Sequence, residues 1–106
     1  MTDLAQQEWH LRLVNDSNAL VLDVRTKQEL AQGIIPDAIH IDFYLGNQFI
    51  EEVELLDKTK NYYVYCHSGV RSAQTCKLLN SLGIANAYNL EGGIVAWQGP
   101  VVKPNL

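Results

Sequence analysis

The sequence predicts an α/β fold, a mainly parallel sheet of four to five strands with helices on both faces. Two features of the chain carry that expectation. Short apolar runs rich in β-branched and aromatic residues, Leu20 to Val24, Ala38 to Ile41, Tyr62 to Tyr65 and about Ala85 to Leu90, alternate with segments of helical spacing. The gaps between them have helix length, and strands joined by such crossovers lie parallel in a sheet covered on both faces. With 106 residues, 47% of them apolar, and no repeat, low-complexity tract or linker, residues 1–106 make a single domain around one core.

Asp3 opens the first expected helix, with Gln6 three residues on as a capping box and Ala5, Trp9 and Leu13 at helical spacing. Any strand before it is missing or very short. After the strand Leu20 to Val24, a stronger capping signal, Thr26 with Glu29, starts a short helix that Gly33 and Pro36 end. Ala38 to Ile41 is the next strand, and Phe49, Ile50, Val53, Leu55 and Leu56 mark a third, less regular helix. Tyr62 to Tyr65 leads into a loop and then a helix that runs to Gly83, where a left-handed cap is expected. The strand ending at Leu90 is followed by Gly92-Gly93, which opens a last helical turn or two. Trp97 is expected to bury its area against the sheet before the stop at Gly99-Pro100.

A formal charge of −4 argues against nucleic acid or an anionic membrane surface as the main partner. No run approaches membrane-spanning length, and Met1-Thr2-Asp3-Leu4 has neither the basic start nor the apolar stretch of a signal peptide, so the chain reads as cytoplasmic. Cys66 and Cys76 make no disulfide framework and are expected as free thiols. No second Cys/His pair at zinc spacing accompanies His67, and neither a metal nor a cofactor is expected.

Chemistry concentrates in Cys66-His67-Ser68-Gly69-Val70-Arg71-Ser72, between the apolar strand and the helix. The six residues from Cys66 to Arg71 suffice for a tight loop whose backbone N–H groups turn inward as an anion nest, with Gly69 giving the turn its freedom. The helix N-terminus and the Arg71 guanidinium add positive potential, which favours the nucleophilic thiolate over the thiol. Packing alone would explain a cysteine at a strand end, but not the glycine and arginine that follow it. Ligands of parallel sheets bind beyond the carboxyl ends of the strands, where Cys66 stands. Cys76 falls in register with Ala73, Leu79 and Leu82 and reads as core.

Four segments together resemble the single-domain rhodanese-like sulfurtransferases, from Leu20 to Trp97 and in the family's order. Val21-Leu22-Asp23-Val24-Arg25 with Glu29 is similar to its Asp-x-Arg strand end, and Gly33 to Ile41 to its Gly-His-Ile-Pro-Gly-Ala segment. Cys66 to Ser72 matches the loop Cys-x-x-Gly-x-Arg-Ser, and Leu90-Glu91-Gly92-Gly93 with Trp97 the closing Gly-Gly…Trp motif. Ile34 replaces the usual histidine, Asp37 the usual glycine, and His67 stands where many members carry arginine.

The resemblance implies that Cys66 takes a sulfane sulfur from a small donor, thiosulfate or a persulfide, and passes it to cyanide or a thiol, including a protein thiol. Cys66 and Arg71 would be catalytic, and His67, Ser68, Gly69, Val70 and Ser72 would form the substrate-binding loop. Asp23 and Arg25 read as support behind the site, Glu29 as a helix cap, Gly92, Gly93 and Trp97 as scaffold, and His40 as a satisfied or solvent-facing histidine. A cysteine phosphatase or arsenate reductase is the rival enzyme, but its loops put five residues between cysteine and arginine where this chain has four. It also needs a general acid that the sequence does not offer. A non-catalytic rhodanese-like binding module is the other alternative, and such modules are expected to lose the cysteine.

Overall fold

The computed structural model describes residues 2–104; Met1, Asn105 and Leu106, which the expected domain and N-terminal reading include, lie outside the described residues. Five strands, β1 (Thr2–Leu4), β2 (Ala19–Asp23), β3 (Ile39–His40), β4 (Asn61–Tyr65) and β5 (Ala87–Leu90), form one sheet in the order β1-β5-β4-β2-β3. Every strand pair in it is parallel. Five helices connect or follow them: α1 (Gln6–Val14), α2 (Lys27–Leu30), α3 (Asn47–Glu54), α4 (Val70–Ser81) and α5 (Gly93–Ala96).

Strand alternation divides the core into two layers. On one face Leu22, Val24, Tyr62, Val64, Cys66 and Ala87 pack with Phe49 and Val53 of α3 and Cys76 and Leu79 of α4. Val21, Tyr63, Tyr65 and Leu90 on the other face pack with Trp9 of α1, Ile35, Ile94 and Trp97. Each layer buries apolar surface worth roughly 25 cal/mol per Å². The expected fold, a parallel sheet with helices on both faces, is the one observed.

The N-terminus corrects the sequence expectation. Asp3 does not cap a helix; Thr2, Asp3 and Leu4 pair with Tyr88, Asn89 and Leu90, so the first strand exists and is three residues long. Ala5 precedes α1 and makes no side-chain cap. The Gln6 side chain instead donates to the Ala96 carbonyl and accepts from the Gln98 N–H. Pairing with β5 satisfies a row of backbone groups, which outweighs one capping bond.

Trp97 packs on the layer over this sheet face as expected; its ring also meets Trp9 of α1 edge-on, centroids 5.3 Å apart, and its Nε1–H donates to the Pro100 carbonyl. Thr26 and Glu29 form the expected capping box at α2. Asp37, at the family's glycine position, holds φ +66°, the left-handed conformation that glycine supplies without strain and that aspartate tolerates better than most residues.

Candidate active site

Cys66 leaves the carboxyl end of β4, and the chain turns through Gly69, at φ +102°, into α4. That turn aims its donors at sulfur. The Gly69 N–H lies 3.1 Å from Cys66 Sγ, the Ser72 N–H 3.5 Å and the Ser72 Oγ 3.3 Å. Only 1% of Cys66 is exposed, at the base of a loop whose rim residues His67, Ser68 and Val70 face solvent. Burial pushes the thiol pKa up, but hydrogen bonds from the Ser72 hydroxyl and the N–H groups of Ser72, Gly69 and Ser68 outweigh it. The net shift is downward, toward the thiolate.

α5 clamps the loop from outside. The Ile94 N–H donates to the Cys66 carbonyl at 3.0 Å and the Val95 N–H to the His67 carbonyl at 3.1 Å. Gly93 lies so close that a Cβ there would sit 2.1 Å from the His67 carbonyl oxygen. The Gly-Gly pair is therefore a wall of the loop as well as scaffold.

Arg71 bonds to Glu29 rather than to Cys66 Sγ, while staying close enough for its charge to interact with the sulfur. Its Nη1 and Nη2 donate to Glu29 Oε1 and Oε2 at 2.7 and 2.9 Å, and its guanidinium lies 5.3 Å above the Tyr44 ring. Glu29, expected only as a cap, thus does two jobs, closing the capping box and gripping Arg71. The Arg71 hydrogen bonds hold the Glu29 carboxyl near a pKa of about 2, against an ordinary 4.5.

Asp23 and Arg25 form a buried ion pair, 2.8 Å between Nη2 and Oδ2, whose remaining donors reach the Glu29 and Gly33 carbonyls. Neither touches Cys66. Asp23 pairs in register with Tyr65, the residue before Cys66, and Arg25 reaches the loop through the Glu29 carbonyl and the grip of Glu29 on Arg71. His40 is satisfied, with Nε2 2.6 Å from the Arg25 carbonyl. Cys76 is fully buried, and burial pushes its thiol up to about 12. Cys76→Ala is expected to leave turnover near wild type while costing about 1 kcal/mol through a small cavity, read by activity and thermal unfolding. Among the described residues no group of three or more His, Cys, Asp or Glu side chains could hold a metal.

A family model, the rhodanese-like domain, matches residues 6–100. The chain belongs to the rhodanese-like domain family. YtwF of Bacillus subtilis (strain 168) is 40% identical over 90 residues, 85% of this chain and 84% of that protein. A protein of Allochromatium vinosum named sulfurtransferase is 38% identical over 96 residues, 88% of this chain and 87% of its own length. The crystal structure of a rhodanese-like domain protein from Staphylococcus aureus aligns with TM-score 0.82 and 31% identity, covering 98% of this chain and 99% of that one.

In this rhodanese-like domain the structure gathers Cys66, Ser68, Gly69 and Ser72 around one sulfur and leaves Asp23 and Arg25 behind another wall. Sequence reasoning missed Asn89, which β5 places beside α4. Its Oδ1 is 2.5 Å from Ser72 Oγ, and its Nδ2 donates to the Gly69 carbonyl at 3.2 Å and to Asp3 Oδ1 at 2.9 Å. A clue was present: an asparagine in a parallel strand buried on both faces needs polar partners. No helix among the described residues is long and apolar enough to cross a membrane.

Proposed function

We propose that the protein is a sulfurtransferase that carries sulfane sulfur on Cys66. The observation behind this is the ring of donors already aimed at Cys66 Sγ, in a loop four residues long between cysteine and arginine. The Cys66 thiolate attacks the outer sulfur of thiosulfate, the S–S bond breaks, and sulfite leaves with the bonding electron pair. The product is a Cys66 persulfide anion, with the same total charge. Cyanide, or the thiolate of a small molecule or protein, then attacks the terminal sulfur and releases the Cys66 thiolate with thiocyanate or a new persulfide. No proton moves in either step, so no general acid is required.

The loop N–H groups stabilise the thiolate before attack and the terminal sulfur anion after it, with the backbone that carries them already in place. His67, Ser68 and Val70 form the rim that the donor crosses, and Arg71 braces the loop while keeping positive charge at the entrance. Asp23 and Arg25 act further back by fixing the segment that carries Glu29. Steady-state thiosulfate:cyanide turnover, run beside aryl phosphate hydrolysis, tests this function. Turnover of the first with negligible hydrolysis of the second is expected; the reverse pattern sinks it.

Arg71→Ala is expected to lower kcat/KM for thiosulfate by about ten- to a hundredfold, and Arg71→Lys by less, because lysine keeps the charge and loses the paired donors. If bracing matters, Glu29→Gln shares part of the defect. Glu29 has a folded pKa depressed to about 2. Its contribution to stability is therefore complete above its unfolded value of 4.5 and is lost as pH falls toward 2. Acid unfolding of Glu29→Gln beside wild type reads this directly: the wild-type advantage should fade across that window.

A further inference from the structure

Ser72 has one hydroxyl hydrogen and two acceptors for it, Cys66 Sγ at 3.3 Å and Asn89 Oδ1 at 2.5 Å. The orientation of the Asn89 amide is not free. Its nitrogen meets two acceptors, Asp3 Oδ1 and the Gly69 carbonyl, so turning the amide over would set oxygen against oxygen at both contacts. Asn89 and Ser72 are both buried, and water cannot substitute for either partner.

Resting on the reading of Cys66 as the sulfur carrier, we propose that Asn89 is a positioning residue whose carbonyl takes the Ser72 hydroxyl hydrogen whenever negative charge leaves Cys66 Sγ. In the thiolate the hydroxyl donates to sulfur, because a charge-assisted bond is the stronger one. In the thiol, and in the persulfide whose charge sits on the terminal sulfur, Sγ is a poor acceptor and the hydroxyl turns to Asn89. Losing the charge at Sγ then leaves no buried hydroxyl unpaired. Asn89 thereby narrows the gap between free thiolate and persulfide and favours sulfur loading. Asp3, from the first strand, holds this device in register.

The sign of the effect separates it from mere support. The titratable or charged groups about Cys66 are Arg71 and Cys76 of α4 and the exposed His67 beside it. Glu29 lies beyond Arg71, and Asp3 lies beyond Asn89 with Glu91 at the same cleft. Asn89→Leu removes none of these charges, and the hydrogen bond the substitution takes from Asp3 would act on Cys66 whether or not Ser72 is present. It removes the acceptor that favours the neutral sulfur, so the Cys66 pKa should fall, by about half to one unit. A purely structural loss would loosen the loop donors and raise it.

The experiment is an ultraviolet thiolate titration of wild type, Asn89→Leu, Ser72→Ala and the double variant, with persulfide loading measured by mass at a fixed thiosulfate:sulfite ratio. A lower Cys66 pKa and less persulfide in Asn89→Leu, both vanishing on Ser72→Ala, support the proposal. An unchanged or raised pKa overturns it, as does a shift that survives without Ser72. Should Asn89→Leu fail to fold, Asn89→Asp serves: its anion competes harder for the hydroxyl, so the pKa rises more with Ser72 in place than in the Ser72→Ala background, and equal rises overturn the proposal. A wild type that takes no sulfur from thiosulfate refutes the proposed function alone, since the titration reads Cys66 without any donor.

Discussion

Cys66→Ser is expected to cut thiosulfate:cyanide turnover by about a thousandfold or more, with the fold intact. Oxygen replaces sulfur in the same small volume, so packing against Val64, Cys76 and Leu79 in the α4 layer changes little. Reactivity is another matter. The groups that surround position 66 are donors, the N–H groups of Gly69 and Ser72 and the Ser72 hydroxyl, and they stabilise an anion without being able to make one. A thiol ionises within reach of neutral pH, whereas a serine hydroxyl needs a neighbouring base. His67 is exposed and makes no hydrogen bond to Sγ, so it does not supply that base. Turnover measured with circular dichroism on the same sample checks the result; a folded Cys66→Ser protein that still transfers sulfur would end the mechanism.

The second large effect lies at Gly93. An alanine there places its Cβ 2.1 Å from the His67 carbonyl oxygen and 2.6 Å from the Ser68 nitrogen, both backbone atoms with no flexible end to move aside. It also holds an L-residue at φ +64°. Overpacking and left-handed strain together cost about 2 to 5 kcal/mol. More tellingly, the only relief is to push the loop off α5, which breaks the bonds from Ile94 and Val95 to the Cys66 and His67 carbonyls. A shift of about 1 Å in a positioned nucleophile costs on the order of a hundredfold in rate. Gly93→Ala is therefore expected to lose most turnover even at temperatures where circular dichroism shows it folded. Its Cys66 pKa should rise as the N–H donors move away. A folded variant with wild-type turnover would mean that α5 does not hold the loop.

How far such features can be read from sequence depends on how local their causes are. The cysteine loop was legible because every donor aimed at Sγ comes from within six residues of Cys66, and the turn needs the glycine that stands there. Thr26 and Glu29 were legible for the same reason: a capping box closes over three residues. The central strands β2 and β4 declared themselves by composition, since a parallel strand buried on both faces is largely apolar, whereas the short edge strand β1 carried no such signal.

Asp3 misled because its local capping signal competes with pairing to Asn89, which no nearby residue announces. The Arg71–Glu29 pair joins residues 42 apart, and the Asn89–Ser72 bond joins residues 17 apart on different elements. Such partners become visible only once the strand order places β4 between β5 and β2, which brings Asn89 of β5 and Glu29 of α2 to the start of α4. Trp97 was recognisable as buried area, but that it rests on Trp9 depends on α1 crossing the same face.

Intact-mass measurement of the wild-type protein after incubation with thiosulfate tests most directly whether Cys66 carries sulfane sulfur. The expected result is a gain of one sulfur atom, mapped by peptide digestion to Cys66 and not Cys76, and removed by cyanide with release of thiocyanate in equal amount. A protein that gains no sulfur, or gains it equally as Cys66→Ser, would contradict the assignment of this loop to sulfur transfer.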